Sequence, residues 1–266
     1  MGSSAILVTS FGTSVEQMRI AAIDPIEAHI AAAFPERRAY TAWLSGRVIE
    51  KVRAERGEMH DTLEQALDRI ESDGVDDLVV QPTCLMQGFE MRRVRETLCR
   101  WAKPDVSVRL GSPLLDTQDD RKALAAILSG EYSCIAQSDV LLFMGHGSAT
   151  GGNDVFTQIE TEFANLGHEH FMVATVEGTP TFEDVLARIE GRAPACVHLV
   201  PLMIVAGEHA TVDMAGGGPD SWANQLTARG FEVDCIIRGL GEYPAVRELI
   251  AEHARNARPL EGETRS

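Results

Sequence analysis

The stretch "DVLLFMGHGSATGG", residues 139–152, decides the fold of this chain. Five apolar residues, 140–144, precede His146, which stands between Gly145 and Gly147. A short apolar run followed by glycines is typical of a buried strand that ends in a tight turn. The glycines also indicate that something approaches the backbone closely here. The pattern therefore predicts a strand that presents one imidazole at its carboxyl end.

Seven other short segments rich in β-branched and apolar residues alternate with amphipathic helical stretches. These predicted strands lie near residues 5–9, 38–43, 78–81, 106–110, 171–176, 197–200 and 232–237. Helical stretches such as "EQALDRIESDG" and "FEDVLARIEG" lead directly into the next strand, as crossovers between parallel strands do. The order of elements predicts an α/β fold with doubly wound parallel sheets.

The two halves of the chain resemble each other, which indicates an internal duplication. The segment "LVVQPTCLMQGFE" matches "VHLVPLMIVAGEH", so that Pro82 stands opposite Pro201 and Glu90 opposite His209. The segment "AILVTSFGTS" is similar to "VLLFMGHGS" in the second half. There Gly12 is expected to fall opposite His146.

The polar segment "SGEYSCIAQSD" separates the halves. We therefore predict an N-terminal α/β lobe over residues 1–132 and a C-terminal lobe over 133–266 that carries the metal site. Two similar lobes of this kind are expected to face each other across a cleft.

Three metal-binding side chains are expected at strand ends of the second half, because ligands of open parallel sheets bind beyond the carboxyl ends of the strands. His146 follows the first strand, Glu177 follows the second, and His209 lies just past the third. Neighbouring strands are about 5 Å apart, so the three can meet around one ion. Two imidazoles and a carboxylate suit a divalent first-row metal and leave coordination positions open. An acid that only offsets a helix dipole would look the same as Glu177.

The other histidines considered in the second half are not expected to bind metal. His198 lies inside a predicted strand and is interpreted as a core histidine. His168 and His170 precede a strand, at the opposite edge of the sheet from the metal site, and are interpreted as solvated.

The first half contributes candidate substrate-binding residues. Hydroxyls and backbone amides on a glycine turn at a helix start can bind a carboxylate. The residues of this segment are Ser10, Phe11, Gly12, Thr13 and Ser14. Near Glu90, the side chains of Arg92, Arg93 and Arg95 can make bidentate contacts to carboxylates. A solvated helix face explains these arginines equally well.

Charge and motifs limit the partners. The formal net charge is −16, which argues against nucleic acid and anionic membranes as partners and favours a small ligand or another protein; a homo-oligomer is left open. Neither a G-x-G-x-x-G strand end nor a G-x-x-x-x-G-K-[ST] loop is found, so no nucleotide cofactor is expected.

Five scattered cysteines without C-x-x-C spacing and the lack of a leader pattern predict a cytoplasmic protein with reduced thiols.

Several ordered motifs resemble one known family. They are "ILVTSFGTS", "FMGHG", "VEGTP", "HLVPLMIVAGEHATVDMAGGGPDSWANQL" and "GLGEYPAVRELI", and together they cover most of the chain from residue 6 to about residue 253. This set resembles the sirohydrochlorin cobaltochelatases of the anaerobic cobalamin pathway, class II chelatases related to ferrochelatase.

The resemblance implies ATP-independent insertion of Co²⁺, a substrate metal, into sirohydrochlorin or its reduced precursor, held between two α/β lobes. It implies that His146 and His209 bind metal and accept protons, that Glu177 is the third ligand, and that Glu90 is an acid facing the macrocycle. Two positions depart from the family: Val212 precedes Asp213 where Asn is common, and Gly217 replaces an acid. Substrate contacts from that segment are therefore left open.

Two alternatives also remain open from sequence. A site with two histidines and one glutamate does not by itself select cobalt over iron or nickel. A non-catalytic carrier of the tetrapyrrole or the metal would use the same residues for binding without turnover.

Overall fold

The computed structural model describes residues 3–149 and 151–260. Contacts within the chain divide it into two compact units, Met1–Asp116 with Gly241–Ser266, and Thr117–Leu240. The predicted lobes 1–132 and 133–266, whose outermost residues lie outside the described ones, stay a prediction. The two structural units assign residues 117–132 to the second unit and the residues after 240 to the first.

The first unit contains a five-stranded sheet in the order β2-β1-β3-β4-β9. Its strands are β1 (Ser3–Ser10), β2 (Arg38–Trp43), β3 (Val75–Pro82), β4 (Ser107–Leu110) and β9 (Arg258–Pro259). The first four are parallel, while β9 is antiparallel to β4. The helices are α1 (Glu16–Met18), α2 (Asp24–Ala33), α3 (Gly46–Arg56), α4 (Leu63–Ser72), α5 (Phe89–Trp101) and α10 (Pro244–Arg255), with a π-helical segment at Arg19–Ile23 and a 3₁₀ turn at Leu240–Glu242.

The second unit contains a four-stranded parallel sheet in the order β6-β5-β7-β8. Its strands are β5 (Val140–Gly147), β6 (Phe171–Glu177), β7 (Cys196–Pro201) and β8 (Glu232–Cys235). The helices are α6 (Gln118–Glu131), α7 (Asp154–Asn165), α8 (Phe182–Arg192) and α9 (Trp222–Ala228), with a π-helical segment at His209–Met214. The predicted α/β fold with two similar parallel sheets is confirmed.

The central strands β1 and β5 are buried on both faces, which explains their unbroken apolar sequences. In β1 the side chains of residues 5–8 are at most 1% exposed, and in β5 those of residues 140–144 are fully buried. The two faces of these central strands are therefore both covered within the protein. Within the described residues, no helix is both long enough and apolar enough to span a membrane.

The duplication is visible in the pairing register. The strand order β6-β5-β7-β8 of the second unit repeats the order β2-β1-β3-β4 of the first. Thr9 pairs with Pro82 in the first sheet, and Met144 pairs with Pro201 in the second. Two residues further on, Phe11 therefore corresponds to His146. The expected correspondence of Gly12 with His146 is wrong by one residue, because this register places Gly12 opposite Gly147.

One partly buried acid of the first unit, Glu27, has a pKa well above its ordinary value. Burial raises the pKa of Glu27 in α2 from 4.5 to about 7, with Asp24 adding to the shift and Arg19 opposing it. Its Oε1 atom is buried and has no hydrogen-bond partner among the described residues. Because the folded state favours the protonated carboxyl, stability from this group is complete below pH 4.5 and is lost as the pH rises through 7.

We expect Glu27→Gln to raise the free energy of unfolding at pH 8 by up to about 3 kcal/mol, because the neutral amide needs no proton in the folded state. At pH 4.5 the same substitution should change little. Urea unfolding of both proteins at the two pH values measures the difference. An equal effect at both pH values would show that Glu27 is not protonated by folding.

Candidate metal centre

His146 is the second-last residue of β5 and is exposed. A Cβ atom at Gly145 would stand 2.3 Å from the Phe156 ring, and one at Gly147 would stand 1.6 Å from the carbonyl oxygen of Glu177. Gly147 also has a φ of +76°, which favours glycine. The close approach predicted from the two glycines is therefore made by the protein itself, and at Gly147 it brings the end of β5 against the end of β6.

The structure brings the two predicted histidine ligands together. The rings of His146 and His209 have centroids 4.7 Å apart and are nearly perpendicular, at 86°. His209 begins the π-helical segment that follows β7, and π-helical turns are frequent at functional sites. Both imidazoles reach solvent, since His146 is exposed and the His209 side chain is 38% exposed. The pair is therefore accessible to an arriving ion.

Each imidazole uses its Nδ1 atom in a hydrogen bond. Nδ1 of His146 lies 3.0 Å from the carbonyl oxygen of Gly147. Nδ1 of His209 lies 2.5 Å from Oδ2 of Asp213. In both rings Nε2 is the nitrogen left for a ligand. Sequence reasoning missed the role of Asp213, although its position four residues after His209 is the helical spacing at which side chains meet.

Glu177 is the last residue of β6 and lies beside the end of β5, which carries His146. Its backbone is paired with Gly147 in the sheet, and its side chain is exposed. No group of three or more His, Cys, Asp or Glu side chains is arranged to hold a metal within residues 3–149 and 151–260. The structure thus joins His146 with His209 and pairs the backbone of Glu177 with Gly147, the residue after His146. The three-ligand site stays a prediction.

The turn after His146 is tied to the turn after β6 through Asn153. The Asn153 side chain accepts a hydrogen bond from the backbone nitrogen of Ser148 at 2.8 Å and donates one to its carbonyl oxygen at 2.7 Å. Gly178, with a φ of +105°, leaves the space that this amide occupies. The segments that follow His146 and Glu177 therefore both contact the Asn153 side chain, which the sequence did not reveal.

The predicted substrate segment of the first unit follows β1. Ser10 is 2% exposed and accepts a hydrogen bond from the Thr83 hydroxyl at 3.0 Å, and Thr13 is 7% exposed and accepts one from the Val15 backbone at 3.2 Å. Phe11, by contrast, is 54% exposed. These two hydroxyls are engaged within the protein, so the accessible aromatic side chain is the prominent feature of this strand end.

Gly12 and Ser14 complete the segment. Gly12 has a φ of +91°, and a Cβ atom there would stand 2.7 Å from the Trp43 ring. The Trp43 ring stacks on His60 with centroids 3.5 Å apart. The carbonyl oxygen of Ser14 accepts a hydrogen bond from Arg56 at 2.8 Å. The turn is therefore held by packing and by backbone contacts.

Glu90 lies in the first turn of α5, after β3. Arg93 donates a hydrogen bond to the carbonyl oxygen of Leu44 and lies 3.8 Å from Glu64, so its guanidinium already has protein partners. Arg92 and Arg95 are exposed. Of the arginines considered from sequence, these two are the more exposed, and the Arg93 side chain is 36% exposed.

The remaining histidines of the second unit differ from one another. His198 is 16% exposed, with Nδ1 at 3.1 Å from Asp234 and Nε2 at 3.7 Å from Asp139, in keeping with a structural position. His170 is only 2% exposed, and burial lowers its pKa. The interpretation of His170 as solvated is wrong, because the turn before β6 folds it against Phe171, with ring centroids 4.7 Å apart.

The fold and site together define an α/β protein with two similar parallel sheets and a histidine pair at the strand ends of one of them. Comparison with known proteins identifies the family. The family model described as cobalt chelatase (CbiK) matches residues 4–258. The chain belongs to this cobalt chelatase family, which confirms the resemblance found in the sequence motifs.

Two curated relatives are similar over nearly their whole lengths. The sirohydrochlorin cobaltochelatase of Salmonella typhimurium is 30% identical over 253 residues, which are 95% of this chain and 96% of the relative. The sirohydrochlorin cobaltochelatase CbiKC of Nitratidesulfovibrio vulgaris is 25% identical over 258 residues, which are 95% of this chain and 90% of the relative.

Solved structures share the fold. SirB from Bacillus subtilis with Fe³⁺ has a TM-score of 0.68 at 17% identity, covering 96% of this chain and 95% of SirB. CbiX, described as the terminal enzyme of sirohaem biosynthesis in denitrifying bacteria, has a TM-score of 0.58 at 19% identity, covering 95% of this chain and 98% of CbiX. The two-sheet architecture is therefore that of known chelatases.

Proposed function

We propose that this protein inserts Co²⁺ into sirohydrochlorin without ATP, as a sirohydrochlorin cobaltochelatase. The observation that carries the proposal is the pair of accessible imidazoles of His146 and His209, in a chain of the cobalt chelatase family. The names of the two curated relatives support the metal and the macrocycle.

On the metal side, Nε2 of His146 and Nε2 of His209 would bind Co²⁺, and the Glu177 carboxylate would be the third ligand. Imidazole and carboxylate are suitable ligands for a divalent first-row ion. Fewer than four protein ligands leave positions open, which an ion that must be handed to a macrocycle requires. The exposure of both histidines supports this role, because substrate metal must enter from solvent.

On the proton side, insertion forms metal–nitrogen bonds and releases both pyrrolic protons of the macrocycle. A neutral imidazole or a carboxylate can accept such protons. We assign this role to Glu90 and to His146 and His209, whose Nε2 lone pairs become free when the ion passes to the macrocycle. We propose that no nucleotide takes part in this exchange of two protons for one divalent ion.

For the macrocycle, we propose contacts from the segment after β1 and from the start of α5. The exposed ring of Phe11 suits the flat apolar face of a tetrapyrrole, for which aromatic packing is favourable. The backbone amides of residues 12–14, with the Ser14 hydroxyl, suit its rim carboxylates, as do the guanidiniums of Arg92 and Arg93. Arg92 is the better candidate of the two, because Arg93 already binds Leu44.

We also infer a cytoplasmic location and a small-molecule partner, with no nucleic-acid or membrane partner. The inference is supported by the formal net charge of −16. It is also supported by the cysteines, which form no disulfide in the described part of the chain.

An anaerobic absorbance assay tests the proposal. Purified protein is mixed with sirohydrochlorin and, separately, with Co²⁺, Fe²⁺ or Ni²⁺, with and without ATP, against the uncatalysed rate for each metal. We expect fast spectral conversion with Co²⁺ that does not depend on ATP. Faster conversion with iron or nickel would reassign the metal, and binding of the macrocycle without acceleration would identify a carrier.

A further inference from the structure

We propose that Asp213 is a positioning residue that fixes the orientation and the protonated nitrogen of His209. The two side chains lie in the π-helical segment His209–Met214, where Oδ2 of Asp213 is 2.5 Å from Nδ1 of His209. The proposal deepens the proposed function and rests on it for its catalytic consequence. The hydrogen bond itself is independent of that function.

The chemistry of the pair assigns the proton. An ionised carboxylate can only accept hydrogen bonds, so Nδ1 of His209 must donate. A neutral imidazole carries one N–H, and the lone pair of His209 is then on Nε2. Metal-binding histidines generally donate their other N–H to a carboxylate or carbonyl oxygen in this way, which fixes both tautomer and ring orientation. Asp213 would therefore keep Nε2 of His209 ready for the metal.

His146 has the same assignment through a different acceptor. Its Nδ1 lies 3.0 Å from the carbonyl oxygen of Gly147, and a carbonyl oxygen also only accepts. Both rings thus carry their lone pairs on Nε2, with centroids 4.7 Å apart. The backbone holds the His146 proton, so no side-chain substitution removes that acceptor. His209 depends on one replaceable side chain, Asp213.

The pair is poorly placed for a role in folding stability. The His209 side chain is 38% exposed and that of Asp213 is 44% exposed. The buried residues of the segment are Ala210 and Met214, which pack it against the unit. Exposed charge pairs contribute little to stability. Loss of the Asp213 carboxylate should therefore free the His209 ring while the segment stays folded.

Two substitutions separate positioning from charge. In Asp213→Ala, His209 loses its acceptor, and we expect Co²⁺ affinity and insertion rate to fall about 10- to 100-fold. In Asp213→Asn, the amide oxygen can still accept from Nδ1 without a negative charge, and we expect most of the loss to be recovered. Asp220→Ala is the control, because it removes an exposed aspartate of the same unit.

The decisive measurement is the tautomer of His209 in the metal-free protein, read from the ¹⁵N shifts of its ring nitrogens by NMR. We expect an Nδ1–H ring in wild type, in Asp213→Asn and in Asp220→Ala. In Asp213→Ala we expect a mixture of tautomers. Cobalt titration followed by absorbance measures the affinity of the same four proteins.

An Nε2–H ring in wild type, or an unchanged tautomer and affinity in Asp213→Ala, would overturn the proposal. Equal losses in Asp213→Asn and Asp213→Ala would also overturn it, since they would show that charge is what matters. If wild type inserts no metal into sirohydrochlorin, the proposed function fails, while the tautomer measurement still decides the role of Asp213.

Discussion

Replacing His146 with Ala should reduce the insertion rate more than about 100-fold and leave the protein folded. Removing a residue that only orients a metal ligand costs about 10- to 100-fold, and removing the ligand itself should cost more. The residue is exposed at the carboxyl end of β5, so its loss leaves no cavity in the core. Initial rates with Co²⁺ and a thermal melt of the same preparation measure both effects.

The control is His198→Ala, a histidine of the same unit with a structural position. Its hydrogen bond to Asp234 and its contact with Asp139 would be lost, which should lower stability by about 1–2 kcal/mol and change the rate little. A His146→Ala protein that keeps most of the wild-type rate would contradict the assignment. Unchanged melting with lost activity in His198→Ala would show that the two roles are reversed.

Replacing Gly147 with Ala should both destabilise the second unit and impair insertion. The new Cβ atom would stand 1.6 Å from the carbonyl oxygen of Glu177, so the ends of β5 and β6 would have to separate. The φ of +76° adds strain of about 1–2 kcal/mol for a residue with a side chain. We expect a total loss above about 2 kcal/mol, with a large drop in rate because Glu177 moves away from His146.

Gly167→Ala separates the two causes. Gly167 has a similar φ of +85°, but a Cβ atom there would meet nothing within 4 Å. It should show the backbone strain alone, with activity retained. If Gly147→Ala is no more harmful than Gly167→Ala, the close contact between the two strand ends is not what Gly147 provides.

The apolar runs predicted the central strands well, because these strands are buried on both faces. The segment near residues 140–144 became β5, and that near 171–176 became β6. The two-residue strand β9 was not predicted, since Arg258–Pro259 carries no periodic pattern. Its pairing with β4 depends on the return of the chain to the first unit after residue 240, which local sequence does not encode.

The two histidines of the candidate site were predicted from sequence, but the side chains that hold the site in place were not. His146 and His209 were expected to meet because parallel strand ends share one edge, and they do. Asp213 was missed because a π-helical segment has no strong sequence signal. Asn153 was missed because its partners are backbone atoms of Ser148, which no pattern of side chains reveals.

The most direct test of the account is the position of Co²⁺ in crystals of the protein, located by anomalous scattering at the cobalt edge. The account predicts one main peak about 2.0–2.1 Å from Nε2 of His146 and Nε2 of His209, with the Glu177 carboxylate as third ligand. A main peak bound through Nδ1 of either ring, or lying at His198 between Asp139 and Asp234, would contradict it.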